Sequence, residues 1–458
     1  MSYKNSEKHM NKTRRYFGTD GIRGKVGVSP ITPDFVLKLG WAAGKVFSGN
    51  AEKHTVLIGK DTRISSDMFE SSLVAGFAAA GMNSYLLGAI PTPGVAYLTR
   101  AMHATAGVVI SASHNRYHDN GIKFFSPDGM KLPDDMEWKI EQFIDQSIET
   151  ASSKQIGRVQ VLDQAQRSYI EFCKSSVPNH LSLQGVKIVL DCAHGAAYEI
   201  APAIFKELGA EVIEIGVSPD GFNINAGCGA TDTRVLQETV IAEQADVGIA
   251  LDGDGDRIIM VDHKGEAVDG DELLFVFARY RQQKGALQGG VVGTLMSNVG
   301  LELAFNDLSI PFIRSKVGDR YVLEKMLSEN WSLGGESSGH IIALDLMTTG
   351  DGIITALQVL IAMIEKQQSL HALKSGMQKF PQVLVNVVCG RKVDLAQSSE
   401  IQAVLKYAEA SLKQQGRVLL RPSGTEPVIR VMVEGRDILF VKQLADEIAQ
   451  VVENALKA

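Results

Sequence analysis

The sequence predicts an α/β protein: three similar α/β/α-layered domains plus a smaller C-terminal α+β domain, arranged around a central cleft. Three observations point there. The chain has 458 residues, and a single hydrophobic core stops growing beyond about 250–300 residues, so several cores are expected. Short β-branched runs alternate with helices of about three turns in an order that occurs three times, the signature of helix-covered sheets. The last part of the chain breaks that order.

The first copy opens on the apolar run Val56-Leu57-Ile58, passes through a polar loop at 59–63 and a helical stretch at 68–80, and reaches Gly81. Runs at 85–87 and 107–110 follow. The second copy has a run at 186–190, a loop at 191–195, a helix at 198–208 closed by Gly209, and runs at 212–215 and 247–250. The third has Val291-Val292, a helix near 299–305, and runs at 311–313 and 331–333. Glycine at the helix C-terminus supplies the left-handed cap. Beyond residue 381 come a strand at 383–388, a helix at 401–414, strands at 417–420 and 428–433, and a closing helix at 441–455. The domains fall at 14–150, 160–267, 270–379 and 381–458.

Composition removes several classes. Hydrophobic residues are 45% and charged residues 22%, the globular norm. A net charge of −7 gives no general attraction to nucleic acid or an anionic membrane, so an anionic substrate needs a local cationic pocket. The four cysteines, Cys173, Cys192, Cys228 and Cys389, form no C-x-x-C pair, against both a thiolate zinc site and a disulfide scaffold. Residues 1–15 are polar and basic without an apolar segment to follow, unlike a signal peptide; residues 1–13 read as a tail or a tag remnant. The longest apolar stretch, 353–364, is broken by Thr355 and Gln358, is too short to span a bilayer, and reads as a buried helix. A soluble, cytoplasmic protein is expected, with neither nucleic acid nor membrane as partner.

In each copy the third strand runs into a polar loop and a return strand. The three loops carry different side chains, and they line one cleft if the domains face one another. The second loop is Asp252-Gly253-Asp254-Gly255-Asp256-Arg257. Three carboxylates at alternate positions converge where a cation offsets their repulsion, and oxygen ligands select Mg²⁺ or Ca²⁺. The loop fails the EF-hand pattern at Arg257 and His263. Three carboxylates suit a Mg²⁺ that completes its shell with a phosphate oxygen; a solvated acidic turn is the alternative. The first loop, Ser111-Ala112-Ser113-His114-Asn115, is either a turn whose hydroxyls bond local backbone or the seat of a nucleophilic or phosphorylated serine. No G-x-S-x-G elbow is present. The third, Gly335-Glu336-Ser337-Ser338-Gly339-His340, sets a carboxylate beside a hydroxyl, which suits sugar hydroxyls or an ordinary polar turn.

The final domain offers Arg421-Pro422-Ser423-Gly424-Thr425-Glu426-Pro427 and then Arg430. Small residues can turn backbone N–H groups inward as an anion nest. Ser423 and Thr425 add hydroxyls, and Arg421 and Arg430 add guanidinium forks suited to phosphate; the alternative is a glycine hairpin flanked by surface arginines. This is the cationic pocket that the net charge requires. Near the N-terminus, Phe17-Gly18-Thr19-Asp20-Gly21-Ile22-Arg23-Gly24 is a further glycine-rich segment.

Together the serine loop, D-G-D-G-D-R, G-E-x-S-G-H and R-P-S-G-T-E-P, in that order, resemble the α-D-phosphohexomutase superfamily from about Arg14 to the C-terminus. The segment 17–24, Cys228-Gly229-Ala230-Thr231-Asp232 and Val317-Gly318-Asp319-Arg320-Tyr321 resemble its bacterial branch acting on glucosamine phosphates. Arg116 departs from the pattern, since many relatives have proline after S-H-N. The resemblance implies one Mg²⁺ per active site, held by Asp252, Asp254, Asp256 and a phosphorylated Ser113. It implies transfer of that phosphoryl group to O1 of glucosamine 6-phosphate, turnaround of glucosamine 1,6-bisphosphate in the cleft, and release of glucosamine 1-phosphate, a cell-wall precursor. Glu336 and Ser338 would grip the sugar. Arg421, Ser423, Gly424, Thr425 and Arg430 would hold the non-reacting phosphate. Lys123 and His340 are acid–base candidates; Arg23, Arg257 and His114 would support the phosphoserine. A hinge near Phe380-Pro381 would permit closure, and the protein would be a monomer or homodimer. Rival readings are a phosphomannomutase/phosphoglucomutase, a Mg²⁺-dependent sugar phosphatase, and a Ca²⁺-binding repeat protein.

Overall fold

The computed structural model describes residues 14–49, 54–389, 395, 397–413, 415–422 and 428–457. Four sheets follow one another. The first has six strands in the order Ile22–Lys25, Asp119–Phe125, Ala106–Ile110, Thr55–Lys60, Asn83–Ala89 and Val159–Val161. The second has five, Ala267–Val268, Ile258–Asp262, Val247–Leu251, Lys187–Asp191 and Glu211–Ile215, and the third has four, Phe312–Ser315, Val291–Thr294, Leu333–Gly335 and Ile341–Ala343. The last is a three-stranded antiparallel sheet, Gln382–Val388, Val428–Gly435 and Gly416–Pro422.

The threefold repeat is visible in the pairing. In each of the first three sheets the copy's first strand lies centrally, parallel to its second and third strands. The third strand then pairs antiparallel with the return strand. Parallel strands need crossover connections, which the helices Ser66–Ala79, Ile200–Glu207 and Val299–Asp307 supply. The first two helices lead to left-handed glycines, Gly81 and Gly209; in the third copy the left-handed residue is Ser309, at φ 56°. The cap geometry recurs without its usual residue.

Length argued for separate cores. Several buried clusters are present, one of them inside the first domain around Trp41 and Phe77, but another crosses domains, running from Leu57 through Leu190 and Leu251 to Val291 and Leu333. The cause is shared helices. Thr92–Ala101 packs on Ala165–Ser175, which packs on Ile200–Glu207, and Gly352–Lys366 packs on strands of the second sheet and on Gly270–Gln283. The first twelve residues of Gly352–Lys366 are all buried, so this apolar stretch is the inter-domain helix that its composition suggests. Among the described residues no helix is long and apolar enough to cross a membrane.

The C-terminal sheet keeps its own cluster around Val431, Val441 and Ile448. It meets the third domain through polar contacts. Asn298 donates to Phe380 O (2.9 Å) and accepts from Phe380 N–H (3.0 Å). Glu434 accepts from Val299 N–H at 3.0 Å, and Arg417 donates to the carbonyls of Leu295 and Ser297.

Candidate active site

The three return loops converge. Ser113 follows Ala106–Ile110, the aspartate loop follows Val247–Leu251, and Glu336 follows Leu333–Gly335. Ser113 is fully buried and its backbone sits in the left-handed region at φ 52°. Its hydroxyl donates to Asp252 Oδ2 at 2.6 Å and lies 3.3 Å from His114 Nδ1. Its N–H donates to Ser111 Oγ at 2.9 Å. The loop therefore places the hydroxyl on the aspartate cluster of the next domain. Burial, with Arg257 and Arg23 nearby, lowers the His114 imidazole to about 4, so His114 is neutral at neutral pH.

Asp252, Asp254 and Asp256 are all buried, and they offer ligand oxygens within 4.8 Å of one another. Asp254 Oδ2 accepts from Thr92 Oγ1 at 2.6 Å and from Lys123 Nζ at 2.8 Å. Asp254 Oδ1 and Asp256 Oδ1 are buried with no hydrogen-bond partner. Burial first, then Asp256 and Asp254, push the Asp252 carboxyl well above the usual carboxylate range. Buried carboxylate oxygens without partners are costly. A hard divalent cation satisfies them and relieves the repulsion, so this all-oxygen set fits Mg²⁺.

Cations ring the cluster. Lys123 Nζ reaches Asp20 (3.2 Å) and Asp256 (3.3 Å) besides Asp254. Burial alone would depress its ammonium; Asp20, Asp254 and Asp256 overcome that and hold it above the ordinary lysine range. Arg23 pairs with Asp20 and donates to Ala112 O at 3.3 Å. The main-chain N–H of Arg257 donates to Asp252 Oδ1 at 3.1 Å, and its guanidinium Nε lies 4.0 Å from Asp256 Oδ1. His340 presents Nδ1 to Asp256 Oδ2 at 3.7 Å and Nε2 to Asp319 Oδ2 at 3.5 Å, with Gly350 N 3.1 Å from Nε2; burial alone would lower its pKa, and Asp256 and Asp319 outweigh that and raise it.

A cleft of about 610 Å³ opens onto this cluster. Asp20, Arg23, Asp256, Arg257, Asp319, Glu336, His340, Arg421 and Arg430 are among the residues that line it. Three α/β domains and the C-terminal domain thus contribute to one wall. Arg421 and Arg430 stand directly opposite each other on neighbouring antiparallel strands. Opposed like charges are unfavourable unless an anion lies between them; burial and then Arg430 lower the Arg421 guanidinium. Ser423, Gly424 and Thr425 lie outside the described residues. Glu336 Oε1 accepts from Gly318 N–H at 2.9 Å, which leaves Oε2 for a ligand. Ser338, which the sequence pairs with Glu336, lines a neighbouring cleft between the third and C-terminal domains with Asp271, Asn298, Lys379 and Phe380. Its hydroxyl is buried without a partner.

Several residues here escaped the sequence reading. Arg63, fully buried, pairs with Asp61 and holds the serine loop. Thr92 contacts Asp254. Lys131 bridges Asp20 and Asp319, and Arg320 pairs with Asp134 and Glu137 across the first and third domains. Asp319 and Arg320 lie in the segment 317–321 and Asp20 in 17–24, two of the stretches that carry the family resemblance but whose sequence alone assigns these residues no partner.

Four domain families of the description phosphoglucomutase/phosphomannomutase match the chain: alpha/beta/alpha domain I at residues 14–151, domain II at 167–265, domain III at 269–380, and the C-terminal domain at 384–451. A phosphoglucosamine mutase from Proteus mirabilis is 60% identical over 441 residues, covering 96% of this chain and 99% of its own. One from Hahella chejuensis is 56% identical over 444 residues, covering 97% and 100%. Among solved structures, a phosphoglucomutase/phosphomannomutase family protein from Burkholderia thailandensis superimposes with a TM-score of 0.79 at 21% identity, covering 95% of this chain and 97% of its own. The Aspergillus fumigatus N-acetylphosphoglucosamine mutase, solved with GlcNAc-6P and magnesium, gives 0.68 at 17% identity, covering 97% and 96%. At those identities the structures speak for the fold.

Proposed function

The chain belongs to the phosphoglucomutase/phosphomannomutase family, and we propose that it interconverts glucosamine 6-phosphate and glucosamine 1-phosphate through a phosphoserine enzyme and a 1,6-bisphosphate. It is an intramolecular phosphotransferase; the relatives that match nearly its whole length carry the name phosphoglucosamine mutase. The observation that carries the chemistry is the Ser113 hydroxyl, 2.6 Å from an aspartate whose neighbours keep two buried oxygens without partners.

In the forward half-reaction the anomeric hydroxyl of glucosamine 6-phosphate attacks the phosphorus on Ser113. The O1–P bond forms as the P–Oγ bond breaks; the sugar hydroxyl gives up its proton and Ser113 Oγ takes one. The 1,6-bisphosphate turns in the cleft, and the 6-phosphoryl group returns to Oγ by the reverse steps. Such transfers depend on positioning and charge stabilisation. Asp252, Asp254, Asp256 and Ser113 would hold Mg²⁺, which neutralises charge on a transferring phosphoryl group. Lys123, kept as an ammonium, is suited to donate a proton or neutralise charge, and not to abstract a proton. Arg23 and Arg257 flank the same point. His340, set between Asp256 and Asp319, is suited to hold or donate a proton. Arg421 and Arg430 grip the phosphate that is not reacting, and Glu336, fixed by Gly318, accepts from sugar hydroxyls.

A phosphomannomutase/phosphoglucomutase would use the same groups, and a phosphatase would release inorganic phosphate. The test is a coupled assay with glucosamine, glucose and mannose 6-phosphates, primed with the matching 1,6-bisphosphate. Glucosamine 6-phosphate should be turned over fastest, without stoichiometric phosphate release. A preference for mannose or glucose phosphate would move the assignment within the family; stoichiometric phosphate release would end it.

A further inference from the structure

Ser113 is a non-glycine residue held in the left-handed region, where an L-side chain costs about 1 kcal/mol. Something must hold it there. Its carbonyl, turned inward by that conformation, accepts from Arg63 Nη2 at 3.2 Å and from Asn225 Nδ2 at 2.9 Å. The carbonyl of Asn115, two residues on, accepts from the same two side chains, with Asn225 again at 2.9 Å. Two donors therefore span both ends of the turn that carries the hydroxyl. Arg63 belongs to the first domain. Asn225 belongs to the second, the domain that supplies the aspartates.

The second donor is itself rigid. Asn225 is 4% exposed and sits at φ 55°, a region that asparagine tolerates. Its N–H donates to Ala193 O at 3.0 Å. The loop before it is pinned by Asp220, which accepts from the N–H groups of Phe222 and Asn223. Gly253 closes the arrangement: a Cβ there would stand 2.7 Å from both Asn225 Nδ2 and Ser113 O. The amide thus lies between the nucleophile's backbone and the aspartate loop.

We infer that Asn225 is a positioning residue for phosphoryl transfer: its side-chain amide, reaching across from the second domain, fixes the strained Ser113 turn so that Oγ stays registered on Asp252. This rests on the mutase reading above. It predicts a loss in the chemical step, because Asn225 does not line the cleft that takes the sugar.

Two substitutions separate the possibilities. Asn225→Gly keeps the left-handed backbone and deletes the donor. Asn225→Asp keeps the shape and turns an acceptor toward two carbonyls. Two neutral hydrogen bonds correspond to roughly a five- to hundred-fold effect on rate. In the full-length enzyme, kcat should fall by that factor in Asn225→Gly and further in Asn225→Asp, with KM for glucosamine 6-phosphate within about twofold of wild type. Single-turnover phosphorylation of dephosphorylated Ser113 by glucosamine 1,6-bisphosphate, followed by intact mass, should slow by the same factor. If Asn225→Asp does not fold, as judged by its melting curve, Asn225→Gly decides alone. Wild-type kcat in a folded Asn225→Gly variant, or a raised KM with unchanged kcat, overturns the inference. A wild-type enzyme that fails to turn over glucosamine 6-phosphate counts against the mutase reading instead, since the effect of each substitution is a ratio to an active wild type.

Discussion

Replacing Arg421 by glutamine should make the unliganded protein more stable and the enzyme worse. Arg421 and Arg430 are directly opposed on adjacent strands, so their side chains share one face of the sheet. A like-charge cross-strand pair costs about 0.2–1 kcal/mol. Glutamine keeps most of the aliphatic stem and removes the charge. In low-salt buffer without phosphate, Arg421→Gln should therefore gain that amount. In high salt the gain should vanish, because the pair is already screened. Function runs the other way. A charge-assisted contact to phosphate contributes about 1.5–3 kcal/mol, which is roughly a ten- to hundred-fold loss in kcat/KM. The loss should be similar for glucosamine, glucose and mannose phosphates, because each carries the same phosphate. Thermal melts with and without inorganic phosphate, beside kcat/KM for the three sugars, measure both signs. Phosphate should raise the melting temperature of wild type more than that of the variant. A variant destabilised in phosphate-free buffer, or a loss confined to one sugar, would refute the assignment of this arginine pair to a shared phosphate.

Three further outcomes are expected. Ser113→Ala should carry no phosphate by intact-mass and peptide analysis and should lose nearly all mutase turnover; full activity would remove the nucleophile. Asp254→Asn deletes one charge at the same size, so calorimetry should show weaker Mg²⁺ binding and kinetics a lower kcat, with the melting temperature little changed. Asp351 is 2% exposed, and burial raises its carboxyl from the ordinary 3.8 to about 6; its protonated form is the one that the fold favours, so it contributes stability below pH 3.8 that is lost as pH rises through 6, about 3 kcal/mol in all. Asp351→Asn keeps an acceptor for Ile354 N–H, now 2.9 Å from Asp351 Oδ1, and denaturant midpoints should fall less between pH 4 and 7 in the variant than in wild type.

The elements that were legible in the sequence are those whose cause is local. The three-copy order survives because apolar runs and helical stretches follow from neighbouring residues, and the return loops are set by where each third strand ends. The aspartate loop could be read because its carboxylates lie two residues apart. What stayed hidden depends on partners far away in the chain. Arg63 meets Ser113 across 50 positions, Asn225 meets it across 112, and Lys131 meets Asp319 across 188. A lone arginine or asparagine in a polar loop carries no mark of such a partner. That one of the several cores spans domains is hidden for the same reason: a helix such as Gly352–Lys366 looks buried in sequence, and nothing local says that it is buried between domains.

The glycines of the aspartate loop show how much of a motif is packing. Glycine readily takes a left-handed backbone. Only Gly255 needs it, at φ 69°. Gly253 is not in the left-handed region; it is glycine because Ser113 O and the Asn225 amide would lie 2.7 Å from any Cβ. On its other side Gly195, in the loop after the second domain's first strand, brings its own missing Cβ to within 2.3 Å of Gly253 O. In the third loop, a Cβ on Gly339 would lie 1.9 Å from Ile258 O, in the strand that leaves the aspartate loop. Backbone therefore lies on backbone, from the second domain to the nucleophile and from the third domain to the aspartate loop. Phosphoryl transfer tolerates little misplacement of its groups, and close-packed backbones deform less than long side chains do. Loops of one repeated unit supply unlike chemistry at equivalent positions, and glycine lets those positions approach closely enough to act on one phosphoryl group.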